Sequence, residues 1–409
     1  MNLNKVRVKE AMDIKGISTY TELASLLGIT KNQLSFMLSG AYSPIKARVE
    51  DLCSLLQIPP TELMDAGNHK PAKQKRLTPA AVTAIELFAG AGGLALGLEK
   101  AGIDTLAFVE VDKFCCETLK KNRPYWNVIN SDISEVDFTE YKHKIDIVTG
   151  GFPCQAFSYA GKKMGFNDTR GTLFYEFARC VKETEPRIFL AENVRGLVSH
   201  DSGRTFETIL SVLGDMDYDI QYKVMNAAYY GVGQKRERIV IVGTREGMSY
   251  SFPEPDEKMT TLRTALKECP KSEGQSYSKR KKEVLDLVPP GGSWVDLPHD
   301  VQIDYMGKSI HSGGGKRGMA RRISWDEPCL TLTCSPSQKQ TERCHPDETR
   351  PFTVREYARI QSFPDDWEYC GGIGEKYKQI GNAVPVEMAR RIGVSLKQCV
   401  ENYRETSTS

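Results

Sequence analysis

The stretch Ala84-Ile85-Glu86-Leu87-Phe88-Ala89-Gly90-Ala91-Gly92-Gly93 begins as a short, mostly apolar run and ends in a turn carrying three glycines. Such a run reads as a buried strand, and the glycines let the backbone come within contact distance of a bound molecule before a helix opens at Leu94. Glu110 closes the next apolar run, TLAFVEVD at 105–112, where a carboxylate can accept hydrogen bonds from ribose hydroxyls. A lone glycine turn of this kind fits a nicotinamide dehydrogenase equally well. The decision has to come from the rest of the chain.

Outward from that turn, helical and apolar segments alternate. Leu94 to Ala101 and Phe114 to Lys121 read as helices, IDIVTGG at 145–151 as a strand, and Leu173 to Lys182 as a helix with Phe174, Phe177, Ala178 and Val181 on one side. RIFLAENV at 187–194 is a strand, Thr205 to Leu213 a helix, and YKVMNAA and RIVIVGT are two further strands. Strands this apolar, separated by helices of this length, predict an α/β fold with a doubly wound sheet covered on both faces.

The composition is permissive. A chain of 409 residues with 40% hydrophobic content can bury a full core and carry further domains. Its 11 cysteines include no CxxC pair. Cys329, Cys334, Cys344 and His345 match no zinc spacing, so reduced thiols and no metal are expected. The N-terminus lacks a signal-peptide apolar core and no run approaches a membrane span, which predicts a cytoplasmic protein. A formal net charge of +2 excludes no class of partner, because basic residues gathered on one face suffice for nucleic acid.

Residues 1–66 read as a separate helical domain, 67–82 as a basic linker, 83–246 as the α/β domain, 247–372 as an irregular region, and 373–409 as a segment returning to the α/β domain. In the first, apolar positions recur at helical spacing through Leu23, Leu26, Leu27, Leu34, Leu38, Leu52 and Leu55. The order TYTELASLLGITKNQLSFMLSG, with Ala24 where two helices must approach closely, resembles the helix-turn-helix of the phage-repressor class. That resemblance implies a recognition helix from Lys31 to Leu38, with Lys31, Asn32, Gln33 and Ser35 free to touch operator DNA.

Gly150 to Ser158, Gly-Gly-Phe-Pro-Cys-Gln-Ala-Phe-Ser, displays Cys154 at a strand end, where open α/β sheets place their ligands. Read with AENV at 191–194, QKRERIVIVGTR at 234–245, RPFTVREYARIQSFPDDW at 350–367 and YKQIGNAVPVEMARRIG at 377–393, it closely resembles the DNA cytosine-5 methyltransferase family. The resemblance runs from about Ile85 to Gly393 and implies covalent catalysis. Cytosine C5 is too poor a nucleophile to take a methyl group unaided, and a thiolate added to C6 converts the ring to an enamine.

By that resemblance Cys154 is the nucleophile, Arg238 and also Arg236 supply the positive charge that favours its thiolate, and Glu192 serves cytosine N3. Asn193 shapes the turn. The implied cofactor is S-adenosylmethionine, with Phe88, Gly90, Ala91, Gly92 and Gly93 around its methionine part, Glu110 at the ribose, and Val111, Asp132 and Ile133 at the adenine. Pro153, Leu173, Asn382, Ala383 and Val384 close the pocket. The sequence departs from the family where Asp is frequent (Glu86) and where an aromatic residue is frequent (Val111). The implied partner is double-stranded DNA with its target cytosine flipped out. Gln155 and Ser158 are placed to hold the opened strand, and the basic loop 160–171 to close over it.

The irregular region, with basic clusters at 279–282 and 316–322 and the segment TLTCSPSQKQTER at 331–343, occupies the position of a target-recognition domain. The expectation is a site-specific DNA cytosine-5 methyltransferase, sharing its target with a cognate restriction endonuclease. The alternative is a helix-turn-helix regulator in which methylation is secondary. The size of the irregular region and the helical module speak against an RNA substrate.

Overall fold

The computed structural model describes residues 5–29, 34, 46–57, 81–153, 173–307, 310 and 318–407. They belong to two compact units, Met1–Gln74 and Lys75–Ser409, each of which is considered by itself.

The first unit contains α1 (Lys5–Ile14), α2 (Tyr20–Leu26) and α3 (Lys46–Leu56). Thr19 caps α2 by accepting from the Glu22 amide at 3.2 Å, and Glu22 answers by accepting from the Ser18 amide at 2.9 Å. Val8, Met12, Leu23, Ala24, Leu34 and Leu52 form its core, so Ala24 is buried as its small size suggested. The proposed reading residues Lys31, Asn32, Gln33 and Ser35 lie outside the described residues.

The second unit is built on a seven-stranded sheet. Its strands are β1 (Val82–Leu87), β2 (Ile103–Glu110), β3 (Val128–Asn130), β4 (Ile147–Gly150), β5 (Ile188–Val194), β6 (Asp219–Asn226) and β8 (Glu237–Thr244). The order is β3-β2-β1-β4-β5-β8-β6. The pairs from β3 through β5 are parallel, whereas β8 runs antiparallel to both β5 and β6. Residues 227–236, between β6 and β8, are too few for a helical crossover, so the chain can only turn back on itself.

Both faces are covered. On one, α4 (Gly93–Ala101) lies against α12 (Val386–Ser407), in the same core as Val82, Ile188 and Val240. The two helices approach through small residues: a side chain on Gly97 would collide with Ala389, and one on Gly393 would stand 2.8 Å from the Ala101 Cβ. On the other, α6 (Leu173–Thr184) and α7 (Arg204–Gly214) bury Phe174, Phe177, Phe206 and Ile209 against Ile85, Val148 and Ile239. α5 (Lys113–Asn122) follows β2.

Beyond β8 regular structure is sparse. α8 (Lys279–Asp286) and α9 (His299–Met306) enclose a small core with Trp294 and Cys344. Buried polar hubs do the rest of the fastening. Arg322 donates to the carbonyls of Val288 and Leu285, each at 2.7 Å, and of His345 at 3.1 Å. The fully buried Glu342 accepts from Tyr305 Oη at 2.8 Å and the Ala320 amide at 2.7 Å, and pairs with Lys281 Nζ at 2.7 Å. Arg322, the half-buried Lys281 and the buried Arg343 are therefore braces within this region, although their segments read in the sequence as part of a DNA-reading region; Gln338, Lys339 and Gln340 remain on the surface.

A short parallel pair, β7 (Gln234–Lys235) with β9 (Cys329–Leu330), fastens this region to the sheet. α10 (Val354–Ile360) and α11 (Ile373–Asn382) then lead into α12. Between α10 and α11, Trp367 reaches the glycine turn after β1, its indole Nε1 donating to the Ala91 carbonyl at 3.2 Å.

Candidate active site

The site lies at the strand ends from which the sheet's glycine turns emerge. Glu192 is the fifth residue of β5 and stands opposite Val240, while Val194 stands opposite Arg238. On this antiparallel pair Glu192 and Arg238 are diagonal neighbours, within reach of long side chains. Arg238 Nε approaches Glu192 Oε1 to 2.8 Å, and both side chains are largely buried. The contact is charge to charge: among the described residues Oε1 accepts no aligned hydrogen bond, which leaves this buried carboxylate oxygen with accepting capacity.

Asn193, between them in sequence, points elsewhere. Its Nδ2 donates to the Phe152 carbonyl at 2.8 Å and its Oδ1 accepts from the Val194 amide at 2.8 Å. The turn after β4 is thus pinned to β5. A Cβ on Gly151 would stand 2.9 Å from Glu192 Oε2, so this glycine leaves room for the carboxylate. The sequence motif gave no sign of that contact. Pro153 is exposed at the end of the described segment. Cys154, Gln155, Ser158 and the loop 160–171 lie outside the described residues.

Arg236 occupies a different environment from Arg238. It is buried, and its guanidinium donates to the carbonyls of Leu332 at 3.3 Å, Gly381 at 2.9 Å and Asn382 at 3.4 Å. Burial, with the nearby positive charge of Arg238, pulls its pKa below the usual guanidinium range. Its two terminal nitrogens hold the loop at Leu332 to the C-terminal turn of α11.

The cofactor candidates gather along the ends of β1, β2 and β3. Phe88, Gly90 and Gly92 all have positive φ, at 57°, 54° and 85°, a conformation that costs glycine little and makes Phe88 the strained member. Glu110 Oε2 accepts from the Gly90 amide and Oε1 from the Asp112 amide, both at 2.7 Å. Burial pushes the Glu110 carboxyl above its usual range, opposed by those two amides. Asn130 ties β3 to β2 by donating to the Glu110 carbonyl at 3.0 Å. Beyond it, Asp132 accepts from the Ser134 amide and hydroxyl, which hold its carboxyl below the usual range, and Ile133 is buried. Val111 is 67% exposed, an apolar side chain offered to whatever lies beside Glu110.

Across from this turn, Gly93 packs directly on the Val384 carbonyl and 3.2 Å from the Ala383 Cβ would stand its own. The Asn382 side chain is exposed and its Oδ1 accepts from Cys334 Sγ at 2.9 Å. Leu173, at the start of α6, is half-buried against the core that includes Phe152. A glycine turn, a carboxylate at the end of β2 and an exposed apolar side chain beside it have the chemistry to accept a ligand that carries hydroxyls and an apolar ring. Among the described residues no group of three His, Cys, Asp or Glu side chains is placed to hold a metal, and no helix is long and apolar enough to cross a membrane.

Such a sheet, seven-stranded with its antiparallel β8, is the fold of S-adenosylmethionine-dependent methyltransferases. Residues 82–398 match the C-5 cytosine-specific DNA methylase family, and the chain belongs to that family. Residues 7–66 match the Cro/C1-type HTH DNA-binding domain. The chain is 51% identical to the Type II methyltransferase M.Sau96I of Staphylococcus aureus, over 98% of this chain and 100% of that one. It is 57% identical to the Type II methyltransferase M.Eco47II of Escherichia coli, over 79% and 80% of the two chains. Among solved structures, a putative DNA modification methyltransferase encoded within an E. coli prophage is 26% identical over 78% of this chain and 99% of its own, with a TM-score of 0.58. The DNMT2 of Spodoptera frugiperda, at 16% identity and a TM-score of 0.56 over 77% of this chain and 99% of its own, shares the fold.

Proposed function

We propose that this enzyme methylates C5 of a cytosine flipped out of double-stranded DNA, with Cys154 as the covalent nucleophile and S-adenosylmethionine as the methyl donor. The observation that supports it best is the Glu192–Arg238 contact at 2.8 Å beside Gly151, three residues before Cys154. A free cysteine is only a few per cent thiolate near neutral pH, and the Arg238 charge favours the ionised form. The thiolate adds to C6 as Glu192 shares a proton with N3, so the electron pair of the C5–C6 double bond becomes available at C5. When bound, the cofactor supplies an electrophilic methyl group to that carbon. Loss of the C5 proton to a base then restores the double bond and expels the Cys154 thiolate.

The cofactor is held by Phe88, Gly90, Ala91, Gly92 and Gly93 on one side and Asn382, Ala383 and Val384 on the other, with Glu110 at the ribose, Val111, Asp132 and Ile133 at the adenine, and Pro153 and Leu173 at the rim. Extruding the base costs about a few kcal/mol, recovered from contacts to the opened strand by Gln155 and Ser158 and to the duplex by the region 247–372. Arg236 serves the reaction by bracing the site rather than by touching the base.

The N-terminal unit supports a second role. A separate helical unit with a buried Ala24 and Leu34 suits operator binding through Lys31, Asn32, Gln33 and Ser35, which would let the enzyme regulate transcription, including its own. A cognate restriction endonuclease would share the methylated sequence without binding the enzyme.

Bisulfite sequencing of a mixed-sequence plasmid incubated with the protein and S-adenosylmethionine tests the first role. Protection of cytosines in one short context is expected, and Cys154→Ala should abolish it while leaving operator binding in a mobility-shift assay intact. Unprotected DNA despite bound cofactor would sink the methylation reading. Joint loss of both activities in a folded Cys154→Ala protein would sink the two-role account.

A further inference from the structure

Two buried glutamines lie in line between the region 247–372 and the wall of the cofactor pocket. The Leu332 amide donates to Gln234 Oε1 at 2.8 Å, Gln234 Nε2 donates to Gln361 Oε1 at 3.0 Å, and Gln361 Nε2 donates to the carbonyl of Ile380 at 2.9 Å. A longer contact joins Gln361 Nε2 to the Ala383 carbonyl at 3.4 Å. Both side chains are completely buried. The direction of the line is set by its ends, since an amide N–H can only donate and a peptide carbonyl can only accept. Turning either glutamine over would oppose two oxygens or two N–H groups.

Burying two consecutive amides is costly unless every group is satisfied, and a pair of apolar residues would fill the same space at less risk. What the amides add is a connection. Leu332 opens the segment that carries the exposed Gln338, Lys339 and Gln340, and the Ile380 to Ala383 stretch forms the wall against Gly93. Close packing at the same place prevents the segment after Leu332 from sliding past the end of α11: a Cβ on Gly381 would stand 2.5 Å from the Thr333 carbonyl oxygen. Neither end can move without breaking a buried hydrogen bond.

We propose that Gln234 and Gln361 are positioning residues which couple DNA engagement by the segment after Leu332 to closure of the cofactor pocket by Ile380–Val384. The coupling makes each ligand tighten the other by the same factor, as linkage requires. This rests on the proposed assignment of Asn382, Ala383 and Val384 to the cofactor.

The experiment measures the affinity of the full chain for S-adenosylhomocysteine by calorimetry, alone and with a duplex carrying the cytosine context that bisulfite sequencing reveals. In the native protein the duplex is expected to tighten binding by at least about fivefold. Gln361→Met, which keeps volume but can neither donate nor accept in the line, should bring the factor below about twofold. Gln234→Met should do the same, and the double variant no more than either, because a broken line cannot be broken twice. A purely structural role would lower the melting temperature of these variants and leave the factor unchanged, which would overturn the proposal. So would an absent coupling in the native protein, or additive losses. If Gln361→Met does not fold, the Gln234→Met comparison decides. Absent methylation by the native protein would overturn the site assignment and the relay together; intact methylation with unaltered coupling overturns the relay alone.

Discussion

Gly93 and Val384 touch although most of the catalytic unit separates them in sequence: any Cβ on Gly93 would fall onto the Val384 carbonyl oxygen. Backbone cannot yield as a flexible side-chain tip does. Gly93→Ala is therefore expected to push the 382–384 wall outward, lowering stability by about 1–3 kcal/mol and weakening cofactor affinity. Denaturant titration and calorimetry with S-adenosylhomocysteine check the two effects. Unchanged cofactor affinity would mean that this wall does not contact the ligand.

The two arginines of the QKRER stretch should separate cleanly. Arg236→Met removes the donors from the Leu332 carbonyl and from two carbonyls at the end of α11, so a stability loss of about 3 kcal/mol is expected. Arg238→Lys keeps the charge beside Glu192 but loses the planar fork, so stability should change by less than about 1 kcal/mol while kcat falls by about 100-fold or more. Paired unfolding curves and single-turnover methylation rates test the contrast.

Glu86 predicts a pH dependence. It is buried on β1, and burial raises its pKa well above the ordinary carboxylate range, opposed by the Ala95 amide and reinforced by Glu110. The folded protein therefore holds a proton that the unfolded chain has released once the pH passes about 4.5, and stability from this group falls as pH rises toward the folded pKa. Glu86→Gln removes the titration. Its stability relative to the native protein should grow between acidic and mildly alkaline pH, as read from urea midpoints across the range. A difference independent of pH would count against a protonated Glu86.

Val111 stands exposed where an aromatic ring could stack on adenine. Val111→Phe is expected to gain about 0.5–1.5 kcal/mol, or roughly two- to tenfold in cofactor affinity. Calorimetry provides the test. A loss of affinity would place the adenine elsewhere.

The strands and helices around the glycine turn were legible because period and punctuation agree there. Apolar runs end in glycine, and Gly93–Ala101 and Arg204–Gly214 begin within a residue of where the pattern puts them. The reversal of β8 was not, since strand direction depends on connection length rather than on the apolar pattern of RIVIVGT. Nor were the roles of Arg236 and Arg238 separable. They share a motif and a parity, and only the loops that pack over Arg236 distinguish them. In the region 247–372, single buried charges such as Arg322 and Glu342 replace periodic apolar faces, so no repeat in the sequence announces the architecture. The position of Glu110 at a strand end was legible in the apolar run before it, whereas the Gly151 clearance for Glu192 depends on a distance between strands.

The contact of α4 with α12 also orders events during synthesis. The glycine cradle leaves the ribosome early, but its opposing wall belongs to Ile380–Val384, and Gly97 and Gly393 meet their partners only once α12 has been made. A nascent chain can therefore bury one side of its sheet long before it can enclose a methyl donor.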